Sequence, residues 1–361
     1  HTEFLSEKTY FPKLFLVQVS APGEETYAID PLTESIDLGP LKKLLCEDQV
    51  VKVFHAGRQD MEIFYNQFNC IPAPIFDTQI AAMVCGYGDQ IGYQKLVRDI
   101  CDKDLDKSHQ FTDWAYRPMT EKQLQYALDD VIYLKDIFED LSARLEQRGR
   151  SHWLAEEMSI LKAEGTYKFA PEEAWQRLKL KNTKPRTLAV AQALAAWRER
   201  EAADKDIPKN WILRDDTLID LAQRCPKKPK DLARIRNFPS KSTDNHLAQS
   251  IIKILDEHRN ASRQEAPDQT RKQGLGPEDT STFEMLKMLL RIRAAENDVA
   301  ARLIASQDEL KELAGQTKPD IKALKGWRRE IFGEDALSLK AGKIALTLKD
   351  GNIQAQRLQE E

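Results

Sequence analysis

No run of 18 or more apolar residues occurs in this chain, which excludes a membrane-spanning helix. Cysteine is scarce: Cys46, Cys70, Cys85, Cys101 and Cys225 are odd in number, and none sits in a CxxC spacing. That argues against a zinc site and a disulfide frame, and for a reducing, cytoplasmic compartment. No secretory leader is recognisable, and the chain opens so abruptly that residues upstream are expected to be missing. Positive charge is not in excess either. With 54 Lys and Arg against 58 Asp and Glu the formal net charge is −4, and that sum does not suggest a nucleic-acid binder. What the chain does have is 361 residues, 41% hydrophobic and 31% charged, enough for two or three ordinary water-soluble domains.

The distribution of charge says more than its sum. Residues 176–186 hold five Lys/Arg and no acid, and residues 224–241 hold seven against the single Asp231. The first 150 positions hold 25 Asp and Glu against 16 Lys and Arg, a net negative half. One half can hold cations and the other phosphates, or each run is an ordinary solvated face.

Residues 14–19 (LFLVQV) and 26–29 read as strands separated by a Pro22-Gly23 turn. Residues 36–46 carry a helical pattern, and 50–54 form a short β-branched run suited to a buried strand. That run leads into His55-Ala56-Gly57 and an amphipathic stretch at 59–68. Pro72 and Pro74 precede Ile75-Phe76, and Asp77 is placed to cap a helix over 78–85. Strands alternating with helices predict an α/β domain whose mixed sheet is flanked by helices. In such sheets ligands collect at the carboxyl ends of the strands.

The richest stretch is 120–134, TEKQLQYALDDVIYL. Thr120 with Gln123 three residues on makes a capping box. Leu124, Ala127, Leu128, Val131 and Leu134 then recur at helical spacing as a buried stripe. Tyr126 and Asp130, four apart, share one face a turn from each other. A phenol beside a carboxylate on a rigid helix suits metal-assisted hydrolysis, although such pairs also arise by chance. Asp60, just past the strand ending at Phe54, and Glu3, in a first strand, complete three carboxylates from separate elements that can meet at one mouth. Each also reads as a surface acid, and Asp60 as a residue favoured by the helix macrodipole.

Beyond residue 145 the pattern is almost wholly helical. Residues 153–162 and 187–206 are periodic, 176–186 reads as a linker, and 218–222, 232–235 and 247–255 close a small cluster. Residues 260–280, with Pro267, Gly274, Gly276 and Pro277, form a polar linker. A last helical unit follows over 283–332 and is predicted to end in a hairpin over 337–348 with Gly342 near its turn.

Taken together, these segments resemble a known family. H-T-E-F at 1–4, F-H-A-G-R-Q-D at 54–60, F-D-T-Q at 76–79, D-W-x-x-R-P at 113–118 and Y-A-L-D-D-V at 126–131 are similar to ribonuclease D. That family comprises 3′→5′ exoribonucleases of the DEDD superfamily, tyrosine-containing subgroup. N-W-I-L-R-D-D-T-L-I-D-L-A at 210–222 and K-G-W-R-R-E-I-F-G at 325–333 resemble its C-terminal HRDC domains. The resemblance covers almost the whole chain. It implies a ribonuclease H-like exonuclease domain over 1–150, lacking the strand that precedes the first motif. A helix and basic linker over 151–186 would follow, then an HRDC domain over 187–262, a polar linker over 263–280 and a second HRDC-like domain over 281–361.

The resemblance also implies two divalent cations, Mg²⁺ or Mn²⁺, held by Glu3, Asp60 and Asp130, with Tyr126 positioning the attacking water. Such hard oxygen ligands suit these ions rather than zinc. Phe4 is expected to stack on the terminal base or to serve as core, and His55, Arg58 and Arg117 are candidates for phosphate contacts. Asp77 is expected to be structural. The implied substrate is RNA with a free 3′ end, notably tRNA precursors, with no obligatory protein partner and no membrane.

One position departs from the family. His1 stands where the first motif has Asp, and a neutral imidazole supplies none of the charge that holds two hard cations. Two further readings therefore stay open here. One is a catalytically impaired RNA-binding protein on the same fold; the other is a DNA exonuclease sharing the same chemistry.

Overall fold

The hydrophobic run at 14–19 becomes the middle strand of a sheet because nearly all of it is covered. In the computed structural model, which describes residues 1–21, 23, 25–106, 112–180, 183–238, 246–267 and 276–358, β2 (Lys13–Ser20) buries Leu14, Phe15, Leu16, Val17 and Gln18. It lies between β1 (Thr2–Leu5) and β3 (Thr26–Ile29), and pairs antiparallel with β3 so that Val17 faces Ile29. The Pro22 turn position, Lys181 and Asn182 of the basic stretch, residues 239–241 of the second basic run and residues 268–275 of the polar linker lie outside the described residues.

The run at 50–54 shortens to β4 (Lys52–Phe54), which pairs parallel with β5 (Ile75–Asp77), Phe54 opposite Asp77. Parallel strands need a crossover. It is supplied by α2 (Arg58–Phe68), after α1 (Gly39–Leu45) has led into the pair. The helix expected from residue 36 starts only at Gly39 because Pro40 sits in its first turn, where its missing N–H costs nothing.

Two compact units result. The first draws on His1–Thr2, Leu16–Ala163 and Lys272–Glu361, the second on Glu3–Phe15 and Glu164–Arg271. In the first, α3 (Thr78–Val84), α4 (Tyr93–Cys101), α5 (Glu121–Ile132), α6 (Leu134–Gln147) and α7 (Ser151–Leu161) cover the strands. Leu16, Met61, Ile63, Phe64, Leu96, Ile137, Leu141 and Leu145 are essentially inaccessible. At roughly 1.5–3 kcal/mol for each such side chain, they supply the main drive for folding. The terminal helices belong to this same unit. Trp153 stacks on Trp327 with ring centroids 4.3 Å apart, and Arg148 pairs with Asp298 at 2.7 Å.

The second unit is a helical cluster built on α8 (Pro185–Asp204), α9 (Lys209–Ile212), α10 (Asp215–Arg224) and α11 (His246–His258). Leu188, Leu194, Leu218, Leu221, Ile251 and Leu255 meet in its core. Arg198 is buried among them and donates to the Leu213 carbonyl and to Asp215 at 2.9 and 2.7 Å. These bonds offset the cost of burying its charge, although its Nε has no partner.

Two expectations are corrected. Cys46, at the C-terminus of α1, and Cys70, just past α2, form a disulfide across a sequence separation of 24. No spacing motif encodes that pair; the packing of two helix ends makes it. Cys85, Cys101 and Cys225 are free. The terminal hairpin also lies further on, as β6 (Ile344–Lys349) and β7 (Asn352–Arg357). Gly342 follows the helix Glu334–Lys340 with φ of 73°, where helices end. The turn is Asp350-Gly351, with φ of 52° and 79°, the positive pair that tight hairpins require.

Candidate active site

Gly57 begins the site because it is the N-cap of α2. A Cβ at Gly57 would lie 2.6 Å from the Cβ of Phe54, so only glycine lets the helix start this close to β4. The N–H groups of Gly57 and Ala56 donate to the Asp77 carboxylate at 2.8 and 3.2 Å. Those of Gln79 and Ile80 donate to it at 2.9 and 3.2 Å. Asp77 thus caps α3 as its sequence position predicts, and in addition pins the turn that leads into α2. Burial pushes its pKa up against these four hydrogen bonds. The first turn of α2 is thereby fixed, and Asp60 sits in it, buried.

Thr2 donates its hydroxyl to Asp60 Oδ1 at 2.9 Å. His1 Nδ1 is 3.5 Å from that same oxygen, and His1 Nε2 is 3.9 Å from Oδ2 of Asp130 on α5. Ligand atoms of His1, Glu3 and Asp130 all lie within 4.8 Å of one another. The three expected carboxylates therefore gather around the His1 ring. Burial holds the Asp130 carboxyl above its usual range; His1 opposes that shift, and the charges of Asp129 and Asp60 add to it. Converging oxygens with excess negative charge form a donor set that fits hard divalent cations.

Tyr126 is half-buried one turn before Asp130, its ring centroid 6.3 Å from that of buried Trp114. The helix carrying both is anchored by the predicted box. The Thr120 N–H donates to Gln123 Oε1 at 2.8 Å, and Thr120 Oγ1 accepts from the Gln123 N–H at 3.3 Å.

The other candidates divide. Phe4 is half-buried on β1 beside Glu3, and Arg58 is exposed at the start of α2. His55 Nδ1 is 2.9 Å from the Thr78 hydroxyl, and its ring is 5.5 Å from that of Tyr93. Burial pushes the His55 pKa down to about 4, so the ring is neutral at pH 7 and brings no positive charge to a phosphate. Arg117 makes a two-pronged pair with Asp30 at 2.6 and 2.9 Å and donates to the Trp114 and Tyr116 carbonyls. It braces the turn before α5. Three neighbours escaped the sequence reading. Thr2 holds Asp60, Trp114 packs on Tyr126, and the Tyr93 hydroxyl donates to the Asp129 carbonyl at 3.3 Å. Thr2 and Trp114 had a signal, within the H-T-E-F and D-W-x-x-R-P segments; Tyr93 had none.

This fold and this carboxylate cluster define a 3′→5′ exonuclease. The family model for that class, "3'-5' exonuclease", matches residues 1–146, and the HRDC domain model matches 187–255. The chain is 44% identical to ribonuclease D of Nitrobacter hamburgensis, across 98% of this chain and 92% of that one. It is 42% identical to that of Acidiphilium cryptum, across 98% and 90%. It superimposes on the crystal structure of Escherichia coli RNase D, "an exoribonuclease involved in structured RNA processing", with a TM-score of 0.82 and 29% identity over 95% and 92% of the two chains. The chain belongs to the ribonuclease D family of 3′→5′ exoribonucleases.

Proposed function

We propose that the chain trims the 3′ ends of structured RNA, tRNA precursors among them, with two divalent cations, Mg²⁺ or Mn²⁺, held by Glu3, Asp60 and Asp130. The observation that carries this reading is the meeting of Glu3, Asp130 and His1 ligand atoms within 4.8 Å, with Asp60 on the same imidazole. Bound there, such cations lower the pKa of a coordinated water and neutralise charge on the phosphate and the leaving 3′ oxygen. Tyr126 holds the attacking water by its hydroxyl, one helical turn from Asp130. Thr2 and Asp77 act before any substrate arrives, one orienting the Asp60 carboxylate and the other fixing the turn beneath it. Preorganisation of this kind costs no rearrangement in the reaction itself. Phe4 stacks on the terminal base, and Arg58 meets a phosphate at the mouth.

The HRDC domain and the terminal helices, read as a second, diverged HRDC-like domain, hold the RNA body mainly by phosphates, and the compartment is the cytoplasm. Binding should therefore weaken steeply with salt. The reading as an inactive RNA-binding platform, which His1 suggested, is not favoured by relatives named ribonuclease D along nearly the full length. The test is a 5′-labelled RNA with a free or a blocked 3′ end, incubated with Mg²⁺ or Mn²⁺. Stepwise shortening of the free-ended RNA alone is expected; release of the label as a 5′ mononucleotide or internal cuts would refute the proposal. The Tyr126→Phe variant should keep RNA binding and lose roughly 100-fold or more in kcat.

A further inference from the structure

The two basic runs of the sequence meet at one end of a helix of the second unit. Arg186 donates to the Gln223 carbonyl, 37 positions on, at 2.8 Å, in the last turn of α10. Arg259 donates to the Cys225 and Pro226 carbonyls just beyond, at 2.6 and 2.9 Å. Cations gather at a helix C-terminus because its carbonyls lack partners and its dipole is negative there. Here Arg186 and Arg259 take those carbonyls. The lysines that follow need another account.

Between residues 221 and 238 six Lys and Arg stand against one acid, the half-buried Asp231. The flanking acids Asp220 and Asp256 are taken by Arg224 and Arg259 at 2.6 Å each, and Arg236 acts electrostatically on Asp216. Lys227, Lys228, Lys230 and Arg234 remain, all exposed and paired with no carboxylate among the described residues. Lys184, two positions before Arg186, is exposed and unpaired likewise, in a stretch over 174–198 that holds no acid. The second run is also held in place. Pro226 and Pro229 restrict its chain, Leu232 and Ile235 of the short helical turn are buried, and the Asp231 N–H donates to the Lys228 carbonyl at 2.9 Å. An ordinary solvated face mixes signs; this one is a fixed row of like charges left unneutralised.

The same segments offer nothing for a base to stack on. Trp175, Leu178, Leu232, Ile235 and Phe238 are buried, and Leu180 is half-buried. Single strands are held chiefly by stacking on exposed aromatic rings between cations. Duplex RNA instead hides its base faces and is met through shape and backbone. It also presents about twice the charge of one strand along its axis. We propose that Lys184, Lys227, Lys228, Lys230 and Arg234 seat the double-stranded stem of a structured RNA through its phosphates, without regard to base sequence. The inference rests on the nuclease reading above and deepens it, naming the surface and the form of RNA that it takes.

The test compares an RNA hairpin bearing a short 3′ tail with the tail alone, on the full chain, by fluorescence anisotropy without divalent cation. The triple variant Lys227→Gln/Lys230→Gln/Arg234→Gln should cut the salt dependence of hairpin binding by about two to three units of slope, roughly one per charge. It should also reduce the hairpin's advantage over the tail at least about tenfold. Lys184→Gln, on the other run, should remove about one unit of the same slope. The control is Lys42→Gln/Lys43→Gln/Lys103→Gln, which removes as much charge from exposed positions of the first unit. An unchanged hairpin slope in the triple variant would overturn the proposal, as would equal losses on hairpin and tail, or the same losses in the control. A wild type that prefers the hairpin through these residues and never shortens its tail once Mg²⁺ or Mn²⁺ is added would uphold the seat and sink the nuclease reading. One that shortens the tail but binds hairpin and tail alike would sink the seat alone.

Discussion

Position 1 offers the sharpest perturbation, because its ring stands 3.5 Å from Asp60 and 3.9 Å from Asp130, where the family's first motif has Asp. His1→Asp adds a fourth carboxylate to Glu3, Asp60 and Asp130, between the last two. At an effective dielectric constant of about 20, Coulomb's law gives ~4 kcal/mol for unit charges about 4 Å apart. The His1 side chain is 32% exposed, and screening at such a site reduces this to about 1–2 kcal/mol. Without metal the sign is unfavourable: the variant should lose about that much stability. With metal the sign reverses, since the added carboxylate is a charged hard ligand. Metal affinity should rise roughly 5- to 30-fold, the same energy read as a binding constant. The assay is thermal unfolding at pH 7.5 with and without Mn²⁺, beside calorimetric titration of the ion. A variant less stable without Mn²⁺ but raised further than wild type by it is expected, together with faster RNA shortening. Equal stability without metal and unchanged Mn²⁺ affinity would show that the carboxylates do not share one field, and the electrostatic account of the site would fail.

Asp130→Asn should abolish RNA shortening while stabilising the metal-free protein near neutral pH. The folded-state pKa of Asp130 lies above its ordinary value of 3.8, so its ionised form is penalised by folding; the gain should vanish as pH falls through that raised value toward 3.8, measured by urea unfolding across pH. Gly57→Ala forces a methyl to within 2.6 Å of Phe54 Cβ and should cost about 1–3 kcal/mol of unfolding free energy, with activity falling because Asp60 moves with its helix. His55, held at a pKa of about 4 against an ordinary 6.5, favours folding when neutral. Its contribution is full above pH 6.5 and declines as pH falls through 6.5 toward 4, by up to about 3 kcal/mol, and His55→Gln should flatten that limb of the stability–pH curve.

What the sequence made legible here is what local physics decides. The Thr120–Gln123 box starts α5 where its spacing predicts, since both partners lie within one turn, and Asp77 caps α3 for the same reason. The strand at 14–19 is readable because burial on both faces leaves a run of four apolar residues, Leu14 to Val17, before Gln18. Residues whose role is a distant partnership were not. Thr2 and Asp60 are 58 positions apart, Arg117 and Asp30 are 87 apart, and Cys46 finds Cys70 only once two helix ends have packed. Arg117 illustrates the difficulty: its guanidinium suits a phosphate and a carboxylate equally, and only the folded chain selects Asp30. The hairpin failed differently, for the local signal was present. Gly342 offers a turn residue, but Asp350-Gly351 is the stronger dipeptide, and the backbone obeys the pair that reaches positive φ twice.

The candidate site combines both kinds of legibility. Its residue types follow from chemistry, since small hard cations demand several carboxylates and a water demands a donor near them. Its coherence depends on bonds that no spacing announces. Thr2 orients the Asp60 carboxylate, Asp77 grips the turn below it, and Trp114 packs on Tyr126, so the proposed roles of Asp60 and Tyr126 rest on these contacts. Damage to those supporting residues should therefore resemble loss of the ligands themselves in kcat, yet leave the chain able to bind RNA. A substitution at an unsupported surface acid would do neither, which makes that contrast the measure of which carboxylates belong to the site.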